Sequence, residues 1–274
     1  MALRTKLALL PVRYSADDAL QVLGRPRREA LGPVIRCLVW NILKARRRWW
    51  AEDFGELVAD RDLVLLQEAV LRAPSDALFT RSERFEWVMA RSFRQPRSGI
   101  EHGIKTGCVA PARARGFHLS PHAEPVSNTR KLLLATRYPL AGESATLLVL
   151  NMHAINFVTI GKYVGQLEQL RAALAAHAGP VILAGDFNTW SPARLERFVE
   201  VAEEAGLREA AMDRSRRLAH LNSHLDHVFY RGLALRGVAS LEHVRSSDHA
   251  PITATFEREA DGRRDDRGHG SPPR

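Results

Sequence analysis

Short apolar runs bounded by polar or turn-forming residues are the feature that most constrains the fold of this chain. Seven of them occur, at 34–40, 62–67, 131–136, 145–151, 181–184, 226–230 and 251–256. Their length and their content of β-branched residues favour buried strands over helices. Amphipathic patterns at 49–61, 163–177 and 192–205 predict helices between the strands, the last with Ser191 as N-cap before Pro192. Strands and helices mixed over about 220 residues predict one α/β domain.

Composition divides the 274 residues into three segments. Residues 1–33 form a loosely patterned N-terminal extension that closes on the chain-breaking pair Gly32-Pro33. Residues 257–274 are polar, contain glycine and proline and lack an apolar period, so we expect a disordered tail. The folded domain is therefore expected at 34–256.

The sequence contains little that would attach the protein to a membrane or export it. No run of about 18 apolar residues occurs, which argues against a membrane-spanning helix. The first residues lack the apolar stretch and cleavage site of a secretory signal. Two cysteines, Cys37 and Cys108, are too few for a disulfide framework. We therefore expect a cytoplasmic monomer without a stable membrane anchor.

The positive charge of the chain is concentrated in one part of the sequence. The formal net charge is +9, from 40 lysines and arginines against 31 aspartates and glutamates. Residues 91–137 alone hold nine basic and two acidic residues, a net +7, and a second basic run occupies 44–48. The total charge says little, because a genome-wide arginine bias also produces it, but the clustering favours a polyanionic substrate.

Polar residues that can bind a metal or move a proton stand at the ends of the predicted strands. The ends of strands in α/β folds commonly open onto a shared crevice, so these residues can converge. Taken singly, each has an ordinary explanation: a turn asparagine, a capping glutamate or a hydrogen-bonded histidine in the core. Their order along the chain is what favours a functional site. The set comprises Asn41, Glu68, His153, the pair Asp186 and Asn188, Asp226, and the pair Asp248 and His249.

This ordered set resembles the endonuclease/exonuclease/phosphatase superfamily, the metal-dependent phosphodiesterases related to DNase I. The matching segments are WN at 40–41, LQE at 66–68, NMH at 151–153, GDFN at 185–188 and SDH at 247–249. Together with LDHVFY they extend over essentially the whole predicted domain. The phrases LLQEA, NMHAINF, GPVILAGDFNTWS and SDHAP carry a closer resemblance to the bacterial YafD-type group.

The resemblance implies an α/β fold, a four-layer sandwich of two mostly antiparallel β-sheets flanked by helices. It also implies a Mg²⁺ or Mn²⁺ cofactor held by Asn41 and Glu68, with Asp248 as an additional nearby ligand. Amide and carboxylate oxygens are ligands of the kind that Mg²⁺ prefers.

The resemblance further assigns catalytic roles to five residues. Asp186 matches the residue that orients or deprotonates the attacking water, and Asn188 matches the one that holds phosphate and water in register. His249 would contact the phosphate, with Asp226 on its other ring nitrogen. His153 matches a second histidine that faces the phosphate.

The substrate is less constrained than the chemistry, because this superfamily also includes lipid phosphodiesterases and phosphatases. The leading hypothesis is a phosphodiesterase of nucleic acid, with the basic stretches on phosphates and Trp49 and Trp50 stacked on a base. Trp50 equally fits the apolar face of the predicted helix. One alternative is a phosphatase or a sphingomyelinase-like lipid phosphodiesterase, for which Trp49 and Trp50 beside arginines suit an anionic surface. Another is a non-catalytic phosphate-binding module.

Overall fold

The computed structural model describes residues 11–15, 18–72, 76–211 and 225–258. Its helices are α1 (Trp50–Val58), α2 (Ala77–Thr80), α3 (Ile160–Ala175) and α4 (Pro192–Glu204), and a turn of 3-10 helix covers Leu43–Ala45. Its strands are β1 (Val12–Arg13), β2 (Leu20–Leu23), β3 (Val34–Asn41), β4 (Leu63–Leu71), β5 (Glu86–Arg94), β6 (Glu101–Cys108), β7 (Ala114–Leu119), β8 (Leu132–Pro139), β9 (Thr146–His153), β10 (Val181–Asp186), β11 (Arg208–Glu209), β12 (Asp226–Arg231), β13 (Leu233–Ser240) and β14 (Ile252–Arg258).

The strands form two sheets. The first has eight strands in the order β1-β5-β6-β4-β3-β14-β13, with β2 also paired to β5. The second has six strands in the order β11-β12-β10-β9-β8-β7. The pairs β3–β4 and β9–β10 are parallel, and the other strand pairs of the described residues are antiparallel. The expectation of two mostly antiparallel sheets is therefore confirmed.

Helices cover the outer faces of both sheets. Trp50 and Phe54 of α1 stack on each other, and they contact Trp40 and Trp87 of the first sheet. On the second sheet, α3 and α4 bury an apolar face, including Tyr163, against β9 and β10. Apolar side chains from both sheets form a shared core between them. The result is the predicted four-layer sandwich, in which Trp50 is a core residue.

The seven apolar runs all occur as strands, within β3, β4, β8, β9, β10, β12 and β14. The strands β5, β6, β7 and β13 were not predicted, because polar residues and glycines interrupt their apolar pattern. Ser191 caps α4 as expected, since its side chain accepts a hydrogen bond from the Arg194 backbone N–H.

Both predicted terminal segments contribute residues to the first sheet. Part of the segment predicted as an N-terminal extension contributes strands, because β1 and β2 both pair with β5. The predicted tail begins at residue 257, but β14 continues to Arg258, and the rest of the tail lies outside the described residues. Across the described part of the chain, every helix is too short or too polar to cross a membrane.

Candidate active site

Three of the predicted catalytic residues occupy one row across the second sheet. Asp186 ends β10 and is in register with His153, which ends the parallel neighbour β9. On its other side, Asp186 is in register with Asp226, which begins the antiparallel neighbour β12. The three side chains therefore meet at one edge of the sheet because of the strand register, although they are far apart in sequence.

Asp186 is the centre of this arrangement. Its Oδ2 accepts a hydrogen bond from Asn41 Nδ2 at 2.9 Å, and its Oδ1 accepts one from the Asn188 backbone N–H at 3.0 Å. The same Oδ2 lies 3.5 Å from His153 Nε2 and 3.9 Å from His249 Nε2. Burial and, next, the charge of Asp226 raise the Asp186 pKa to about 6, against the opposite effect of His249. The carboxylate is thus ionised at neutral pH but far more basic than an ordinary aspartate.

His249 is held by Asp226. Its Nδ1 donates to Asp226 Oδ2 at 2.5 Å, and its backbone carbonyl accepts from Trp40 Nε1 at 3.0 Å. Burial alone lowers the His249 pKa, but the charges of Asp226 and Asp186 and the hydrogen bond outweigh it and raise the pKa to about 10. At neutral pH His249 is therefore a cation whose second N–H points toward Asp186.

His153 has the opposite character. Its Nε2 lies 3.1 Å from Lys131 Nζ, and Lys131 in turn lies 3.5 Å from Glu124 Oε1. Burial, followed by the charge of Lys131, lowers the His153 pKa well below its ordinary value. The ring is therefore neutral, and its Nε2 accepts from the Lys131 ammonium. Lys131 was not predicted as a site residue, because in the sequence it is simply the polar first residue of the run at 131–136.

Glu68 reaches the site through a β-bulge. The register of β4 against β6 shifts between Leu66 and Ala69, and Glu68 within the bulge has a φ of +49°. Backbone strain of this kind is rare in a strand and turns the side chain away from the regular alternation. Glu68 Oε2 lies 3.1 Å from Lys44 Nζ, and it is buried without a hydrogen bond.

Glu68 and Asn41 fit a divalent cation. Asn41 is buried, and its Oδ1 is bonded to the Leu43 backbone N–H at 3.2 Å. The buried Glu68 oxygen has only the Lys44 ammonium beside it, so the site already favours positive charge. A carboxylate and an amide that line the same cleft are an oxygen donor set of the kind that Mg²⁺ takes.

Asp248 lies less centrally. Its nearest polar partner is the Ser247 hydroxyl, at 3.4 Å from Oδ1, and it raises the His249 pKa through its charge. It does not appear among the described residues that line the cleft. Its role as a ligand stays a prediction.

A second cluster of possible metal ligands lies next to this one. It consists of Asp186, Asp226 and His249, and one ligand atom of each lies within 4.8 Å of those of the other two. The hydrogen bond between Asp226 and His249 already uses one ligand atom of each. Asp186 Oδ2 also lies 3.9 Å from His249 Nε2, so the three residues are already linked to one another within the protein. His227, next to Asp226, is buried on the opposite face of β12, where it contacts Glu209 and Thr189.

Six of the predicted site residues line a cleft of about 420 Å³ between the ends of the two sheets: Asn41, Glu68, His153, Asp186, Asn188 and His249. Lys44, Arg130 and Lys131 place positive charge in its lining, which comes from both basic stretches of the sequence. Two other arginines of the 91–137 segment pair with carboxylates outside the cleft lining, Arg91 with Glu101 and Arg115 with Glu86. Glu68, Glu124 and Asp186 also line the cleft, so its lining carries charges of both signs.

The wall of the cleft formed by β5 and β6 contains a stacked pair of rings, His102 and Phe93, which was not predicted from the sequence. His102 stacks on Phe93 with ring centroids 4.6 Å apart, and both residues line the cleft. Burial, and then the charges of Lys44 and Arg46, lower the His102 pKa to about 4. Both ring nitrogens are buried without a hydrogen bond in the protein, so His102 is a neutral polar ring facing the same cleft.

The comparison with known families agrees with this site. The model of the Endonuclease/Exonuclease/phosphatase family matches residues 38–249, which include every predicted site residue. The chain belongs to the endonuclease/exonuclease/phosphatase family, and so to a class of enzymes that hydrolyse phosphoester bonds.

Within that class the chain is similar to UPF0294 proteins, the YafD-type group that the sequence resemblance indicated. It is 36% identical to one from Yersinia pseudotuberculosis over 239 residues, 86% of this chain and 87% of the relative. It is 37% identical to one from Klebsiella pneumoniae over 227 residues, 81% of this chain and 82% of the relative.

Solved structures match in fold. An endonuclease/exonuclease/phosphatase from Beutenbergia cavernae has a TM-score of 0.60 at 18% identity, covering 82% of this chain and 72% of that one. The human nocturnin catalytic domain, solved with bound sulfate, has a TM-score of 0.62 at 15% identity, covering 88% of this chain and 98% of that one. At these identities the likeness shows the fold alone.

Proposed function

We propose that this protein is a divalent-metal-dependent phosphodiesterase that hydrolyses phosphodiester bonds of nucleic acid. The observation that carries the proposal is the pairing of a basic carboxylate with a cationic histidine. Asp186 Oδ2 lies 3.9 Å from His249 Nε2, in a cleft that Glu68 and Asn41 also line. Phosphodiester hydrolysis needs a positioned water and neutralised charge on the phosphoryl and leaving oxygens. Asp186 would position the water, and His249, Lys131 and a divalent ion held by Glu68 and Asn41 would offset the charge.

Asp186 orients the attacking water and takes its proton. Its pKa of about 6 leaves it ionised at neutral pH and close to the best value for a general base there. The hydrogen bonds from Asn41 and Asn188 fix the carboxylate, so its orientation costs little when the substrate binds. Asn188 is itself fixed, because its Nδ2 donates to the Ala154 carbonyl at 2.8 Å.

Cationic side chains receive the phosphate. His249 donates from Nε2 while Asp226 holds its Nδ1, and Lys131 adds an ammonium beside the neutral His153. A divalent ion held by Glu68 and Asn41, with Asp248 nearby, would neutralise further charge on the phosphoryl oxygens. Mg²⁺ and Mn²⁺ both suit this oxygen donor set.

Nucleic acid is the substrate class that we infer from the cations of the cleft. Lys44, Arg130 and Lys131 line it, and a polyanionic backbone gains from several such contacts at once. Glu68 and Glu124 pair with the two lysines, and a divalent ion at Glu68 would offset part of that negative charge. Trp49, the aromatic residue that would favour a lipid surface, is 58% exposed but lies under the Arg48 guanidinium and borders a different depression. At this cleft Trp49 therefore supports neither a lipid surface nor the stacking of a base that the sequence analysis considered for it, and Trp50 is buried.

The test is a screen of the purified protein with Mg²⁺ or Mn²⁺ against a panel of phosphoesters. The panel comprises single- and double-stranded DNA, RNA, bis-p-nitrophenyl phosphate, phosphomonoesters and sphingomyelin. We expect metal-dependent cleavage of nucleic acid and of bis-p-nitrophenyl phosphate, lost in Asp186→Ala. The exposed His118→Gln variant should retain it, as a matched control for preparation and contamination. Hydrolysis of only phosphomonoesters or sphingomyelin would replace the proposed substrate class, and metal binding without any hydrolysis would favour a binding module.

A further inference from the structure

Two large aromatic side chains stand exposed on loops beside the cleft, and we call these loops its rim. Phe157 lines the cleft and is 72% exposed. Trp190, two residues after Asn188, is 57% exposed and is joined to the cleft lining through its hydrogen bond to Asn156. Both lie in loops that directly follow catalytic strands, Phe157 after β9 and Trp190 after β10. Their exposed ring surface is therefore available to a ligand that occupies the cleft.

Asn156 holds both aromatic residues. Its Oδ1 accepts from Trp190 Nε1 at 2.9 Å and from the Phe157 backbone N–H at 2.8 Å. Its own backbone N–H donates to Glu124 Oε1 at 3.0 Å, and Glu124 also pairs with Lys131. The rim is therefore tied by hydrogen bonds to the charged residues of the cleft.

Arg194 supports one side of Trp190. Its guanidinium lies 4.9 Å from the Trp190 ring centroid and 4.5 Å from that of Tyr163. It is only 2% exposed and donates to the carbonyls of Ile155, Asn188 and Val158. Trp190 thus has one side against a rigid, buried cation, while more than half of its surface remains open to solvent.

Phe157 is held at a backbone cost. Its φ is +54°, the left-handed region that a bulky side chain seldom occupies. Strain of this kind persists where the surrounding structure imposes it, and it concentrates at binding sites. The Phe157 N–H within this loop donates to Asn156 Oδ1 at 2.8 Å.

We propose that Trp190, together with Phe157, is a stacking platform for a nucleobase next to the scissile phosphodiester. The inference rests on the proposed function and adds to it a subsite and a preference for unpaired bases, since a base can stack there only when it is out of the duplex. Fixed aromatic rings beside a basic groove are the combination that single-stranded nucleic acids use. The cations Lys131 and Arg130 in the same cleft provide the groove.

The support of Trp190 disfavours a lipid surface as the occupant. A ring that inserts into a bilayer must project freely from the surface, whereas the Trp190 N–H is bonded within the protein and Arg194 covers one side. Such a ring offers a single flat face, which matches a planar base.

The test is a double-mutant cycle between the ring and the base. Binding of a single-stranded oligonucleotide is measured in an Asp186→Asn background, which prevents cleavage. Each base near the cleavage position mapped with wild-type enzyme is replaced in turn by an abasic residue. At one position we expect base removal to weaken binding about 10-fold with Trp190 present and to have no effect in Trp190→Ala. Trp190→Phe should retain part of the coupling, and the equally exposed Trp49→Ala should leave it unchanged.

Three results would contradict the stacking proposal for Trp190, and each has a different meaning. Tight oligonucleotide binding without coupling at any position would refute the stacking proposal but leave the proposed function intact. Absence of oligonucleotide binding in all variants would refute both the stacking proposal and the proposed nucleic-acid substrate. Loss in Trp190→Ala of binding to phosphatidylglycerol vesicles would make the ring a membrane contact. Circular dichroism and the melting temperature of Trp190→Ala show whether this variant is folded, and Trp190→Phe repeats the comparison with an aromatic ring retained.

Discussion

Asp226 Oδ2 and His249 Nδ1 are joined by a 2.5 Å hydrogen bond that connects the two sheets of the sandwich. Asp226 begins β12 of the second sheet, and His249 lies just before β14 of the first. A single bond therefore fixes the position of His249 relative to Asp186 and also sets its protonation, because the Asp226 charge keeps the ring cationic. Geometry and electrostatics of the cleft thus depend on the same contact.

Removal of the Asp226 charge should lower the His249 pKa from about 10. In Asp226→Asn the burial of His249 persists while only the charges of Asp186 and Asp248 still oppose it, so a larger fraction of the rings is neutral at any pH below 10. NMR titration of the metal-free protein, with His249→Gln to assign the resonance, measures this directly. The alkaline limb of the pH–rate profile should move to lower pH in parallel. An unchanged His249 titration in Asp226→Asn would contradict the electrostatic role.

Asp186 should set the acid limb of activity. Since its pKa is raised to about 6, kcat/KM is expected to fall as the pH drops through that value and the carboxylate takes a proton.

Asp186→Ala and His249→Ala should each cut metal-dependent turnover by about 100-fold or more while the fold persists, as expected for loss of a positioned catalytic group. Circular dichroism and pH–rate profiles check this. Near-wild-type turnover in either variant would refute the assigned roles.

Glu68 should carry the effect of divalent ions on stability. Mg²⁺ or Mn²⁺ is expected to raise the melting temperature of the wild type, because an ion that binds only the folded state stabilises it by mass action. Glu68→Gln should lose most of that rise. Glu143→Gln, remote and paired with Arg258, is the matched control and should behave as wild type. An equal rise in Glu68→Gln would place the ion elsewhere.

Much of this site was predictable because it follows from chain order. Asn41, His153 and Asp186 end apolar strands, and the register of a parallel pair alone brings the last two together. Glu68 was also predicted as a site residue. The direction of its side chain depends on the bulge in β4, which no local sequence pattern indicates.

The remaining site residues depend on contacts between distant segments. Lys131 matters through its 3.1 Å approach to His153, and Trp190 through Asn156 and Arg194, none of which has a local signature. The strands β5 and β6, which supply the His102 wall, were missed because polar residues interrupt their alternation. Sequence patterns report which face of an element is apolar, whereas these features arise from which faces meet.

A buried lysine outside the catalytic group should make stability depend on pH. Lys105 of β6 is 0% exposed, its Nζ donates to the Val70 carbonyl at 2.7 Å, and it lies 3.6 Å from the Phe79 ring centroid. Burial lowers its pKa to about 7, partly offset by the charges of Asp76 and Glu101. Between pH 7 and the ordinary value of 10.5 the unfolded chain holds a proton there that the folded chain has largely released. Stability from this group therefore increases as the pH rises through that window.

Urea unfolding of wild type and Lys105→Met at pH 7, 8 and 9 measures the effect. Wild type should gain stability relative to Lys105→Met by at most about 1.4 kcal/mol per pH unit. The raised pKa values of the Cys37 and Cys108 thiols act in the opposite direction, but they are common to both proteins and cancel in the difference. Lys162→Met, on the exposed face of α3, is the matched control and should parallel wild type. A difference between wild type and Lys105→Met that does not change with pH would show that Lys105 keeps its proton at an ordinary pKa in the folded protein.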